Sequence, residues 1–161
     1  MKKLFEIYTM PIGKVVIAEQ NGFITDLFPI TKEKETIKAF NEETDLLKEA
    51  ASQLRRYFEG SLCNFDLPLN PIGTDFQKDV WKALCDIPYG ETRSYKEIAI
   101  AINNEKAVRA VGLANNRNPI SFVIPCHRVI GSDGSLVGYG GGLPLKVHLL
   151  RLEKNVKLKQ I

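Results

Sequence analysis

Three runs near the start of the chain alternate apolar and polar residues: LFEIYTM (4–10), GKVVIAEQ (13–20) and GFITDLFPI (22–30). A period of two puts successive side chains on opposite faces, so each run reads as a strand. Pro11-Ile12-Gly13 and Asn21-Gly22 interrupt the runs, and Asn-Gly between two such segments is a strong two-residue hairpin signal. A small antiparallel sheet is expected. The period then changes: Leu46, Leu47, Ala50, Ala51, Leu54, Tyr57 and Phe58 recur at helical spacing, and Gly60 stands where a helix would stop. This helix is expected to cover one face of the sheet. LCNFDLPLNPIG (62–73), with Pro68, Pro71 and Gly73, reads as a strand edge running into a linker, which places a boundary near Pro71.

Beyond the boundary the pattern is helical. Thr74-Asp75-Phe76-Gln77 fits a capping box, and its helix should run to about Cys85 and end before Pro88. Ser94-Tyr95-Lys96-Glu97 fits the same box and opens a second helix through about Ile102, with Asn103 and Asn104 as the turn. A third helix, EKAVRAVGLANN (105–116), puts Ala107, Val108, Val111 and Ala114 on one side and leaves Lys106, Arg109 and Ala110 toward another. Two short helices around a tight polar turn, the second with small residues and an arginine on its outer face, match a helix-turn-helix. Helix pairs of this kind also occur in domains that bind no nucleic acid, so spacing leaves both readings open. The apolar run SFVIP (121–125) reads as a buried strand that ends at Cys126-His127.

Composition adds bounds. A chain of 161 residues, 44% hydrophobic and 25% charged, is an ordinary globular composition with room for one core or two small lobes, here divided as 1–70 and 71–161. Glu6 interrupts the apolar run that a leader would need after Lys2 and Lys3, and no long apolar segment occurs elsewhere, so a cytoplasmic protein is expected. Residues 1–70 carry nine basic against eleven acidic side chains, whereas 71–161 carry thirteen against eight, which makes the second half the better candidate for a polyanion. Cys63, Cys85 and Cys126 are odd in number and lack metal-ligand spacing, which argues against a disulfide framework or a closed zinc site.

Candidate chemistry centres on Cys126. A thiol is a modest nucleophile until a base or a positive environment favours the thiolate, and His127 and Arg128 follow directly. In extended chain these neighbours point to opposite faces, so Cys126 and His127 cooperate only if the backbone bends or a water bridges them. Pro125 and the turn residues 131–134 permit a bend. VHLLRLE places His148 and Glu153 on a terminal helix, where a carboxylate could orient an imidazole. Between them, Gly138, Gly140, Gly141 and Gly142 surround Tyr139, a backbone that could approach a flat ligand. No phosphate-loop spacing is present.

Together, PCHRV (125–129), SYKEIA (94–99) and RAVGLANNRNP (109–119) closely resemble the O6-alkylguanine-DNA alkyltransferases, strongly over most of 74–153. The first lobe agrees with that family in length and in its strand-then-helix order. The resemblance implies an α/β fold: an RNase H-like lobe of small antiparallel sheet plus helix, and a mostly helical winged-helix/helix-turn-helix domain. It implies direct-reversal DNA repair by irreversible, stoichiometric transfer of an alkyl group from O6-methylguanine, and also O4-methylthymine, to Cys126. By the same resemblance His127 is the base acting through a water, Glu153 its orienting carboxylate, Asn118 the brace of the turn, and Tyr95 the donor to the leaving guanine. Arg109 is the finger that fills the stack of a flipped nucleotide, with Ser94, Tyr95, Ala110 and Arg117 also at the DNA. The Cys126 and Val129 carbonyls, Tyr139 and the Gly140 backbone line the base pocket; many members carry serine where this chain has Gly140. The partner implied is double-stranded DNA carrying O6-alkylguanine, with no cofactor, no metal, no membrane and no obligate protein partner, the protein acting as a monomer. A protein that binds alkylated DNA and recruits others, or a thiol hydrolase built on Cys126, His127 and Glu153, are the alternatives.

Overall fold

The computed structural model describes residues 2–31, 37–137, 139 and 142–160. Two compact units emerge: residues 1–72 together with Pro119–Ser121, and residues 73–118 together with 122–161.

In the first unit β1 (Leu4–Met10), β2 (Gly13–Gln20) and β3 (Phe23–Pro29) form the antiparallel meander that the alternation predicts. Asn21 and Gly22 take positive φ angles of 57° and 79°, the backbone that a tight hairpin of this hand demands. A strand absent from the sequence reading, β4 (Phe40–Asn41), adds to β1 in parallel, so the order is β3-β2-β1-β4. Helix α1 (Asp45–Phe58) is capped by Thr44, whose hydroxyl accepts from the Leu47 N–H. Its buried face, Leu47, Ala50, Ala51, Leu54, Tyr57 and Phe58, packs on β1 and β2.

The segment around Pro68 is not a strand. It makes a single ladder step on the edge of β3, with the Ile24 N–H donating to the Pro68 carbonyl and the Asn70 N–H to Ile24, each at 2.8 Å. Further along the same edge the Leu27 N–H donates to the Pro119 carbonyl and the Ser121 N–H to Leu27. The last two bonds tie 119–121 to the first unit, and all four satisfy an edge that would otherwise expose unpaired backbone.

In the second unit, α2 (Asp75–Cys85) and α3 (Tyr95–Ala101) both begin with the predicted capping box, Thr74 with Gln77 and Ser94 with Glu97. Each N-cap contributes about 1 kcal/mol to its helix. After a turn at Asn103, in left-handed conformation at φ 59°, α4 spans Val108–Asn116. It starts three residues later than the periodicity suggests and buries Val111, Ala114 and Asn115, while Val108 is exposed. The expected stripe therefore fails at Val108, its second member, because residues 105–107 precede the helix and are not a helical lead-in. Helices α2, α3 and α4 pack on one another, and the buried Trp81 donates through Nε1 to the Ala114 carbonyl at 2.8 Å. Gly73 makes room for that indole: a Cβ there would come within 2.4 Å of the ring. A two-stranded parallel ladder joins β5 (Arg93–Ser94) to β6 (Val129–Ile130), and α5 spans Leu143–Lys159. On α5 Lys146, Leu149 and Glu153 recur at three- and four-residue spacing on the buried face.

Candidate active site

The run before Cys126 is a series of turns and not the expected strand. Phe122, fully buried, sits at φ 69°, a left-handed conformation that costs about 1–3 kcal/mol and persists only where packing over-determines it. The chain therefore reverses instead of extending. Cys126–Arg128 then form a single 3-10 turn, closed by the Arg128 N–H to the Pro125 carbonyl and the Val129 N–H to the Cys126 carbonyl. Two asparagines from α4 and its C-terminal end brace it: Asn118 Nδ2 donates to the Ile124 carbonyl at 2.8 Å and Asn115 Nδ2 to the Cys126 carbonyl at 3.3 Å.

Cys126 is 5% exposed. Burial pushes its thiol up, opposed by the Asn118 carboxamide, the Lys146 charge and the backbone N–H groups of Cys126 and His127. The thiol is thus neutral at rest and surrounded by groups that favour the thiolate once its proton is removed. Lys146 is buried, and its Nζ donates to the Val129 carbonyl at 2.5 Å and to Val137 at 3.1 Å. Burial pulls its pKa down while negative charge on Cys126 opposes that shift. Among the described residues it pairs with no carboxylate, so the thiolate is the anion this cation can serve.

His127 is fully buried. Its Nε2 lies 2.6 Å from Glu153 Oε2, which leaves Nδ1 on the far side of the ring. Burial pulls the imidazole pKa down and Glu153 opposes it, so the ring is neutral, carrying its proton on Nε2 toward the carboxylate. Burial alone would push Glu153 up, yet His127 and Arg128 hold it at about 2. With His127 neutral, Arg128 is the lasting counter-charge: its Nε donates to Glu153 Oε1 at 2.8 Å and Nη2 to Oε2 at 3.1 Å, while Nη1 donates to the Ile87 carbonyl at 2.8 Å. His148, the other histidine, is exposed on α5 and takes no part.

Tyr95 opens α3, and its hydroxyl donates to the Val137 carbonyl at 2.8 Å, the same carbonyl that Lys146 holds. Burial and then Cys126 push its pKa up. Tyr139 has a buried hydroxyl with no hydrogen-bond partner among the described residues. Arg109, Ala110 and Arg117 are exposed on α4 and at its C-cap, with Ser94 half-buried at the start of α3. Val129 is buried behind the turn. Gly138, Gly140 and Gly141 lie outside the described residues. The sequence reading missed three members of the cluster: Lys146, Asn115 and the ion-pairing role of Arg128. Only a lysine and an asparagine on otherwise apolar helix faces could have signalled the first two.

Fold and site together define a helix-turn-helix protein built around one buried cysteine, followed by a histidine that is paired with a carboxylate. Residues 75–155 match the family described as 6-O-methylguanine DNA methyltransferase, DNA binding domain, and residues 3–71 match its ribonuclease-like domain. The chain is 56% identical over 153 residues to the methylated-DNA–protein-cysteine methyltransferase of Methanosarcina barkeri, covering 94% of this chain and 97% of that one. It is 48% identical to the Mycobacterium leprae protein of the same name, over 94% and 92% of the two chains. Among solved structures it is similar to Mycobacterium tuberculosis OGT in complex with DNA, with a TM-score of 0.88, 46% identity and coverage of 95% and 94%. The chain belongs to the 6-O-methylguanine DNA methyltransferase family. Among the described residues no group of three His, Cys, Asp or Glu side chains could hold a metal ion, and no helix is long and apolar enough to cross a membrane.

Proposed function

We propose that this protein repairs DNA by direct reversal, moving the alkyl group of O6-methylguanine, and of O4-methylthymine, onto Cys126 in a single irreversible turnover. The observation that carries the reading is the buried Cys126 thiol, acted on by Asn118, Lys146 and backbone N–H groups and followed directly by His127, which is paired with Glu153, itself paired with Arg128.

The roles follow from chemistry. A base stacked in a duplex cannot present its O6 substituent to a buried thiol, so the nucleotide rotates out, at about a few kcal/mol. Helix α4 meets the minor groove, Arg109 fills the gap in the stack, and Ser94, Ala110 and Arg117 meet the backbone, contacts that are largely independent of sequence. Val129 and Tyr139 line the base pocket. His127 takes the thiol proton through a bridging water, Glu153 steadies the resulting imidazolium, and Lys146 and Asn118 favour the thiolate. Sulfur attacks the methyl carbon as the C–O bond breaks. The Tyr95 hydroxyl, which donates to Val137 in the protein alone, turns to the departing guanine, and one proton returns to the base, so thiol hydrogen and methyl have exchanged. The thioether is stable, and neither Cys63 nor Cys85 is among the groups that act on the Cys126 thiol. The protein acts as a monomer in the cytoplasm, where its thiols stay reduced.

Intact mass after incubation with a duplex containing one O6-methylguanine tests this. The expected gain is one methylene mass per chain, mapped to Cys126, and Cys126→Ala takes up nothing while still binding the lesion. Lesion binding without a mass gain in the unaltered protein points instead to a recruiting protein, and ester or amide turnover to a thiol hydrolase.

A further inference from the structure

Asn115 occupies an unusual position. It is 1% exposed on the last turn of α4, its Nδ2 donates to the Cys126 carbonyl at 3.3 Å, and its Oδ1 is buried with no hydrogen-bond partner among the described residues. An amide whose acceptor is left unsatisfied in the interior costs stability that an apolar side chain of the same size would not. The carbonyl it touches belongs to the peptide that joins the nucleophile to its base.

That peptide is where a relay between the two side chains must run. The hydrogen-bond donors facing the sulfur are Asn118 and the backbone N–H groups of Cys126 and His127. The ring of His127 is fixed by Glu153 through Nε2, so the proton must arrive at Nδ1. A single water between sulfur and Nδ1 accepts from S–H and donates to Nδ1, which leaves its second hydrogen in need of an acceptor, since an internal water normally makes about three hydrogen bonds.

We propose that Asn115 Oδ1 is that acceptor, making Asn115 a positioning residue that holds the relay water between Cys126 and His127. The atoms balance without reorientation. Before transfer the water accepts from the thiol and donates to Nδ1 and Oδ1. As the S–H bond breaks, its hydrogen bonds to the water oxygen while the hydrogen facing the ring forms the Nδ1–H bond. Afterwards the water donates to the thiolate and, as before, to Oδ1, and accepts from the imidazolium. One hydrogen stays on Asn115 throughout, so the water need not rotate during the step. Asn115 Nδ2 helps to brace the turn at the Cys126 carbonyl, beside the backbone bonds and Asn118 that close it, and Oδ1 is left for the water.

The inference rests on the repair reading only for the donor of the alkyl group. The test is the pH dependence of methyl transfer from a lesion duplex for the unaltered protein, Asn115→Leu and Asn115→Asp, the latter retaining an acceptor. Asn115→Leu is expected to react at least about tenfold more slowly near neutrality and to recover as pH rises and hydroxide ionises the thiol directly. Asn115→Asp should retain more of the rate, and lesion affinity measured in a Cys126→Ala background should not change. A loss equal at every pH, or an unchanged profile, overturns the proposal. If Asn115→Leu fails to fold, the unaltered protein decides the matter: its rate in mixtures of light and heavy water should fall along a curve, as two protons move together, and a straight line overturns the relay. Unaltered protein that takes up no methyl defeats the repair reading instead. Iodoacetamide alkylation of Cys126 then replaces methyl transfer, and an identical pH profile in Asn115→Leu overturns the water site on its own.

Discussion

Removing the guanidinium of Arg128 while keeping its stem, as Arg128→Met, isolates the charge that holds the site together. The unaltered pair is bidentate, at 2.8 and 3.1 Å, between side chains 8% and 1% exposed, with a further bond to the Ile87 carbonyl. At an effective dielectric of about 20, two unit charges about 4 Å apart attract by about 4 kcal/mol. Breaking a buried pair by removing one partner typically costs about 3–5 kcal/mol, because the other charge is stranded. Both routes agree, and at about 2–4 °C per kcal/mol they correspond to a loss of roughly 6–20 °C in Tm. Trp81 is the one tryptophan of the chain and is buried in the second unit, so its fluorescence during urea unfolding reports on the unit in question. Neutralising the stranded carboxylate as well, in Arg128→Met/Glu153→Gln, should recover part of the loss. A loss below about 1 kcal/mol for Arg128→Met, the range of exposed pairs, would refute the claim that Arg128 is what keeps Glu153 ionised.

Three other outcomes are expected. Gly112 lies within α4, where a Cβ would sit 3.9 Å from the Tyr95 ring in ordinary contact, so Gly112→Ala should stabilise the second unit by about 0.5–1 kcal/mol, read by the same unfolding curves. Stability should fall in acid in two stages. His127 has a depressed pKa, so below its ordinary 6.5 the unfolded chain binds a proton that the folded one refuses; Glu153, held at about 2, adds a further loss as pH drops from 4.5 toward 2. A urea midpoint that stays flat between pH 7 and 5 contradicts the burial of a neutral imidazole. Arg109→Ala should lose methyl transfer with little change in the slope of log affinity against log salt, as insertion into the stack requires; a slope lowered by about one would place Arg109 on phosphate instead.

Local rules made much of this molecule readable. The hairpin at Asn21-Gly22 and the capping boxes at Thr74 and Ser94 are decided by residues within four positions of one another, and each formed where the chain spelled it. The turn that carries Cys126 was not readable in that way. SFVIP has the composition of a strand, and what bends it is tertiary: the Asn118 amide on Ile124, the burial of the Phe122 ring, and the pairing of 119–121 with β3. Lys146 and Arg128 escaped for the same reason, since a buried cation is recognised by what surrounds it, here carbonyls and a carboxylate 17 and 25 residues distant. Val108 misled because an apolar residue at the edge of a helical stripe carries no mark of where the helix begins.

The order of these residues along the chain has a consequence for the newborn protein. Cys126 leaves the ribosome before Lys146 and Glu153, the latter following His127 by 26 residues on α5. Until α5 docks, the sulfur has no lysine to stabilise its thiolate and the imidazole has no carboxylate to orient it. On the proposed reading, a chain that stops short of α5 therefore holds the nucleophile without the groups that ionise it inside the fold, and competence for transfer arrives with the helix bearing Lys146 and Glu153.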